Sequence, residues 1–343
     1  MSSTIATGPD LLRVLLVPAF AWAAIRDVRT RRLPGRLWPP LIAIGTLALV
    51  WDAIRLAPFE TIFGQLFLFQ VAVSLLFVAP LGYVFWRLGG FGGADAKALI
   101  TIAIALPTFP AYTVGSLTVP IVEPALGVFS FTILTNTVIL AVVVPLSVTA
   151  GNLAAGRLST AAIFARPVDV ETVIDRHGRL FETRSGYTRS GLDLDALRMY
   201  LRWRGLSLSA LRTDPDRYRD PQSIDETFDP TDGATGVRAD STPSELASSS
   251  FEPRDPPSFE PRDPSSIDDP WGAAAFFDSI EGTAYGTDPE TLREGLETLA
   301  EPDRELVWVS PGFPFIVPMF LGLVVAFVYG DILFGLLGAI GFV

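Results

Sequence analysis

Apolar runs constrain this chain more than any other feature. Stretches such as Leu41–Val50 and Phe315–Val328 carry no charge, and several such segments approach the ~20 residues needed to cross ~30 Å of hydrocarbon. A soluble protein of 343 residues has no use for so many. With 49% hydrophobic residues and a mean hydropathy of +0.40, the chain reads as an all-α polytopic membrane protein.

Taken in order, six spans are expected: Leu11–Ile25, Leu37–Leu56, Phe63–Leu88, a short one over Ala96–Leu106, Ala125–Ala150, and Phe313–Leu337. Trp38 and Trp51 suit interfacial anchoring, and Pro80 predicts a kink in the third span. Arg26, Arg29, Arg31, Arg32, Arg36, Arg87, Lys97 and Arg157 all flank one set of ends, against Arg13 and Arg55 on the other. By the positive-inside rule the first set is cytoplasmic, which puts both termini outside the cell membrane. The N-terminus lacks the basic region and cleavage site of a secretory signal.

Three regions follow. Residues 1–157 hold the first five spans, 158–310 form an acidic cytoplasmic insert, and 311–343 hold the last span. Residues 166–305 carry 30 Asp and Glu against 16 Arg, while the rest of the chain carries 7 acidic and 10 basic residues. Arginine almost wholly replaces lysine, Lys97 being the only one, and an acidic surface of that kind suits a salty cytoplasm. The insert reads as α+β. Val168–Thr183 alternates like a hairpin turning at Arg176-His177-Gly178-Arg179; Leu192–Leu211, Ala273–Ile280 and Pro289–Leu299 read as helices. Residues 213–270, rich in Pro, Asp and Ser with a repeated Ser-Phe-Glu-Pro-Arg-Asp-Pro, read as a disordered acidic linker.

The absence of cysteine excludes disulfides and thiolate metal sites, and a lone histidine, His177, leaves no partner for a triad or a zinc site. There is no phosphate-binding glycine loop or dinucleotide fingerprint, so no cofactor, no metal and no nucleic-acid partner is expected. What remains is acidic. Seven acidic residues lie outside 166–305, and two of them, Asp27 and Asp95, fall at cytoplasmic helix ends. Ionisable groups near hydrocarbon are costly and each needs a reason. Brought together, two such carboxylates leave one protonated acid beside one charged base, the pair needed to activate water against a peptide carbonyl.

Asp95 lies in Gly89-Gly90-Phe91-Gly92-Gly93-Ala94-Asp95-Ala96-Lys97. The glycines are read as permitting unusual backbone angles and a close substrate approach. Plainer readings stand beside this: Asp95 as a helix cap, Asp27 as the i+4 partner of Arg31, Lys97 as a topology signal or a charge holding Asp95 ionised. Asp52 and Asp331 sit toward outer span ends, where interfacial or ion-pair roles are expected, and Glu123 lies in a loop. Two functions of other classes remain: a proton-coupled carrier using the two aspartates, and an anchor displaying the acidic insert.

Asp27 followed by Arg32-Leu33-Pro34, and Gly92-Gly93-Ala94-Asp95-Ala96-Lys97 before a later span, resemble the type IV prepilin peptidases, membrane aspartic proteases with a Gly-x-Gly-Asp motif. The archaeal branch, which processes prepilins and preflagellins, is most similar, and Ser310–Pro318 resembles its last span. The resemblance covers roughly 10–155 and 305–335. It implies that Asp27 and Asp95 are the catalytic pair and that Gly92, Gly93, Ala94 and Lys97 shape the site. It also implies type IV pilin-like or archaellin precursors as substrates, cut at the membrane face after a short basic leader. Ala94 stands where the motif has glycine, and Gly35 where asparagine often follows the proline. Without the cysteine-rich domain or a visible S-adenosylmethionine site of bacterial members, no methyltransferase activity is expected.

Overall fold

The computed structural model describes residues 5–88, 90–157, 159–184, 186–188, 190–230, 233, 269–280, 284–311 and 314–342. It divides into two compact units, Met1–Val144 with Pro314–Val343, and Pro145–Phe313.

The first unit is helical. Helices α1 (Gly8–Val14) and α2 (Leu16–Thr30) lead to α3 (Trp38–Leu56), which a 3-10 turn at Gly35–Leu37 precedes. Helix α4 (Ile62–Val73) runs through a π-helical turn, Ser74–Val78, into α5 (Ala79–Arg87). The expected break at Pro80 is this turn: the ring cannot accept a regular i−4 carbonyl beneath it, and one wider turn absorbs the misfit. There Ser74 donates to the Ala103 carbonyl at 2.6 Å and lies 2.6 Å from the Ser130 hydroxyl. Helix α6 (Gly93–Ala105) follows, then a small hairpin of β1 (Tyr112–Val114) and β2 (Leu117–Val119), then α7 (Phe129–Ala154).

Among the described residues, three helices are long and apolar enough to cross a membrane: Gly35–Leu56, Ile62–Arg87 and Phe129–Ala154. The sequence reading expects six. The other three segments are interrupted or short. Leu15 divides α1 from α2, and α6, at 13 residues, reaches only about 20 Å. The last segment, expected as one span over Phe313–Leu337, breaks between two helices, Ile316–Val328 and Ile332–Ala339.

Packing in lipid gains little from apolar burial, so close backbone approach has to supply it. Helix α6 packs against α3 and α5. At the first crossing a Cβ on Gly45 would fall 2.3 Å from that of Ala105. At the second, a Cβ on Gly82 would meet the Ala96 carbonyl at 3.4 Å. The end of the unit holding Ala105 is fixed by Arg13, 1% exposed. Its guanidinium reaches Asp10 at 2.9 Å, Asp52 at 2.7 Å and the Ala105 carbonyl at 3.1 Å, joining α1, α3 and α6. Asp52 is thus an ion-pair member, as expected. Asp331, 2% exposed, instead accepts from the Thr132 hydroxyl at 2.9 Å and the Phe334 N–H at 3.0 Å. It closes the break after Val328, where Asn136 also donates to the Gly330 carbonyl at 2.8 Å.

The second unit contains a three-stranded antiparallel sheet. Strands β3 (Arg166–Asp169) and β4 (Gly178–Leu180) both pair with a strand that arrives much later in the chain. A two-stranded ribbon, β5 (Glu182–Thr183) with β6 (Gly186–Tyr187), precedes it, so that late strand is β7 (Leu306–Pro311). The hairpin expected over Val168–Thr183 is therefore absent: β7 lies between its two arms, and Val170–Asp175 forms a 3-10 helix. His177, expected in a polar turn without a partner, lies 3.5 Å from Asp195. The helix expected over Leu192–Leu211 is two, α8 (Leu194–Trp203) and α9 (Leu208–Thr213), divided at Gly205 with φ of 63°.

Residues 213–230, placed in the linker by composition, form α10 (Pro215–Arg219) and a further turn, held by Arg204 on the Tyr218 carbonyl at 3.0 Å and the Ser223 hydroxyl at 2.8 Å. The rest of that segment, apart from Gly233, Asp269 and Pro270, lies outside the described residues. Helices α11 (Ala273–Ser279) and α12 (Pro289–Leu299) stand where expected. Tyr200, Trp203, Trp271 and Phe276 fill the core, and the Tyr200 hydroxyl donates to the Trp271 carbonyl at 2.6 Å. Back in the first unit, the helices on either side of the break after Val328 are α13 (Ile316–Val328) and α14 (Ile332–Ala339).

Candidate active site

Asp27 lies in the last turn of α2, buried to 8% exposure. Helix α2 packs along α13, and the backbone N–H of Ile316, the first residue of α13, acts on the Asp27 carboxylate. The residue preceding that helix supplies no side-chain cap, so Asp27 fills the place from another element. The chain leaves α2 through Arg31, in the left-handed region with φ of 54°, its N–H on the Asp27 carbonyl at 2.9 Å.

Asp95 occupies the third position of α6. Its Oδ2 accepts the N–H of Gly92, the residue capping that helix, at 3.0 Å. The capping expected of Asp95 is therefore present, and the bond to Gly92 fixes where its oxygens stand. The charge of Asp27 reaches Asp95, and that of Arg31 reaches both. The structure therefore brings the two sequence-predicted aspartates within electrostatic range of one another, each at the positive end of a different helix.

The structure adds three details about the supporting residues. Among the described glycines of the loop, Gly90, Gly92 and Gly93, none adopts a left-handed φ, so conformational freedom is not what they provide. Gly92 provides room: a Cβ there would lie 3.1 Å from Asp95 Oδ2. Gly89 lies outside the described residues. Ala94, the departure from the motif, sits in the first turn of α6, packed on the core, where alanine is the most favourable residue. Lys97 is exposed, its ammonium near Gly35, and the cation that acts on the two carboxylates is Arg31.

Sequence reasoning missed the loop's anchors. The N–H groups of Gly90 and Phe91 both donate to the Phe85 carbonyl, at 2.8 and 3.1 Å, and the Phe91 ring lies between those of Phe85 and Phe315. An aromatic residue inside a glycine run was the available signal. Among the described residues no cluster of His, Cys, Asp and Glu is arranged to hold a metal ion.

The pattern of the type IV leader peptidase family matches residues 14–148, a range that includes both aspartates. A second pattern, the archaeal peptidase A24 C-terminus of type II, matches residues 271–332. Together they take in more than half of the chain. The second begins at Trp271 rather than near residue 305, so the resemblance extends into the insert across α11, α12 and β7. Neither the curated proteins nor the solved structures gave a match.

Proposed function

Because the chain belongs to the type IV leader peptidase family, we propose that it is an aspartic endopeptidase in which Asp27 and Asp95 share the chemistry. The observation that carries this reading is the pairing itself: two carboxylates from separate helices, with the charge of Asp27 acting on Asp95, and Asp95 fixed by the Gly92 N–H. One carboxylate takes a proton from water as the water oxygen attacks the scissile carbonyl carbon. The other, protonated, donates to the carbonyl oxygen, giving a tetrahedral diol. Collapse breaks the C–N bond, and the proton taken from water passes to the departing amine. The two groups titrate as a pair, so the acid and base roles belong to the dyad.

The substrates are type IV pilin-like or archaellin precursors, cut at the cytoplasmic membrane face between a short basic leader and the apolar helix that follows. The arginine-rich ends face the cytoplasm together with insert 158–310, and the shorter helices complete six crossings of the cell membrane. The test is to incubate membranes containing the protein with such a precursor and sequence the product's N-terminus. A cut just before the apolar helix is expected, and a precursor left whole contradicts the reading. Added S-adenosylmethionine should leave the product's mass unchanged, since no methyl transfer is expected; mass spectrometry decides it.

The loop geometry gives a finer expectation. Gly92→Ala should lower cleavage about tenfold, because displacing a reacting group by a few tenths of an ångström is costly. Gly93→Ala should stay within about twofold, since its Cβ would meet nothing closer than Trp86 Nε1 at 3.8 Å. Equal effects in a cleavage time course would refute the claim that Gly92 makes room for Asp95.

A further inference from the structure

Two local arrangements at the site repeat each other. Asp95 accepts an N–H from Gly92, the residue after Phe91; the N–H that acts on Asp27 belongs to Ile316, the residue after Phe315. The two phenylalanine rings touch, with centroids 4.8 Å apart. Phe91 also stacks on Phe85 at 5.1 Å, and the Phe85 carbonyl holds the N–H groups of Gly90 and Phe91. A line of contacts therefore runs from one carboxylate to the other: Asp95 to Gly92, Phe91 to Phe315, Ile316 to Asp27. It passes between two segments far apart in sequence, the glycine loop and the start of α13.

We propose that Phe91 and Phe315 form an aromatic clamp that sets the spacing of the two carboxylates, acting as positioning residues for the proposed peptidase. The inference rests on the reading of Asp27 and Asp95 as the reacting pair. The physical need is plain. The loop contains four glycines and the segment before α13 contains Pro311, Gly312 and Pro314, so neither has many side chains with which to fix its own place. An aromatic pair has preferred arrangements that an aliphatic contact lacks, and the Phe91 and Phe315 rings meet tilted by 39°. Each ring sits one residue from the N–H that orients a carboxylate, so a shift of either ring moves a reacting oxygen.

The experiment uses the full chain in membranes and has two arms. In the first, Phe91→Ala, Phe315→Ala and the double variant are compared in precursor cleavage. Each single variant should lose about tenfold to a hundredfold in kcat with KM near wild type, since positioning and not binding is lost. The double variant should lose no more than the worse single, because both remove one contact. Phe315→Tyr, which keeps the ring, should restore the rate. Phe109→Ala removes a similar ring contact, 4.9 Å from Phe129, and should leave kcat within about twofold.

The second arm does not depend on activity. The chain has no cysteine, so Ala94→Cys gives a single thiol beside Asp95. A water-soluble maleimide should label it several times faster in the Phe315→Ala background than alone. Losses in kcat that multiply in the double variant, or a labelling rate unchanged by Phe315→Ala, overturn the clamp. If the wild type cleaves no precursor, the peptidase reading fails, while faster labelling still supports the clamp and unchanged labelling still overturns it.

Discussion

Asp95→Asn and Asp27→Asn should each reduce precursor cleavage by at least about a thousandfold while leaving membrane insertion intact. Asparagine is close in shape to aspartate, and its side-chain oxygen still accepts one hydrogen bond. The N–H of Gly92 therefore keeps its acceptor, Ile316 still faces a side-chain oxygen, and the loop and the start of α13 should stay seated. What the amide cannot do is take a proton from water or hold one to give. The change removes chemistry and spares architecture, which is why the pair discriminates between a catalytic and a capping role. If both aspartates were only helix caps, asparagine, itself a good cap, would leave the rate almost unchanged.

Replacing Arg13 by methionine should destabilise the protein by about 3–5 kcal/mol, the usual result of removing one partner from a buried ion pair. Arg13 is enclosed by Asp10, Asp52 and the Ala105 carbonyl. Its loss strands two carboxylates and the C-terminal carbonyl end of α6 without a cation. A fall of roughly 10 °C in the unfolding midpoint in detergent is expected for that loss. Arg55→Met should change stability by less than about 0.5 kcal/mol, since Arg55 is half exposed and stands 3.8 Å from the same Asp52. Asp52→Asn should fall between the two, because Asp10 still balances Arg13. If Arg13→Met and Arg55→Met had equal effects, the buried triad would not be what secures α1 and α3 to α6.

The sequence carried three of the six expected spans, because a long membrane-facing helix needs one property along its whole length, while the breaks in the other segments leave little trace in composition. It also singled out Asp27 and Asp95, carboxylates at the ends of apolar helices, and the fold brings the charge of Asp27 to bear on Asp95. Pairing over long distances was hidden. Val168–Thr183 alternates as strands do, but alternation does not name a partner, and β7 from residues 306–311 takes the place between the two arms. The break after Val328 was hidden for a related reason. Tyr329-Gly330-Asp331 sits between apolar runs, and much of what satisfies it lies far away in sequence: the hydroxyls of Thr132 and Thr135, the Asn136 amide and the backbone of Ile121 and Val122. The glycine loop was singled out for backbone freedom and close substrate approach; at Gly92 the backbone angles are ordinary and what its lack of a side chain leaves is space beside Asp95. Arg31 was visible only as a local partner of Asp27, and its reach to Asp95 depends on the fold.

The most direct measurement is the single-turnover cleavage rate of a type IV pilin-like precursor by wild type, Asp27→Asn, Asp95→Asn and the double variant, each checked for normal insertion. Two groups that work as one unit give single and double variants the same residual rate. A common floor, far below wild type, is the predicted result. Substantial cleavage by either single variant, or a double variant that multiplies the two losses, would contradict a shared dyad.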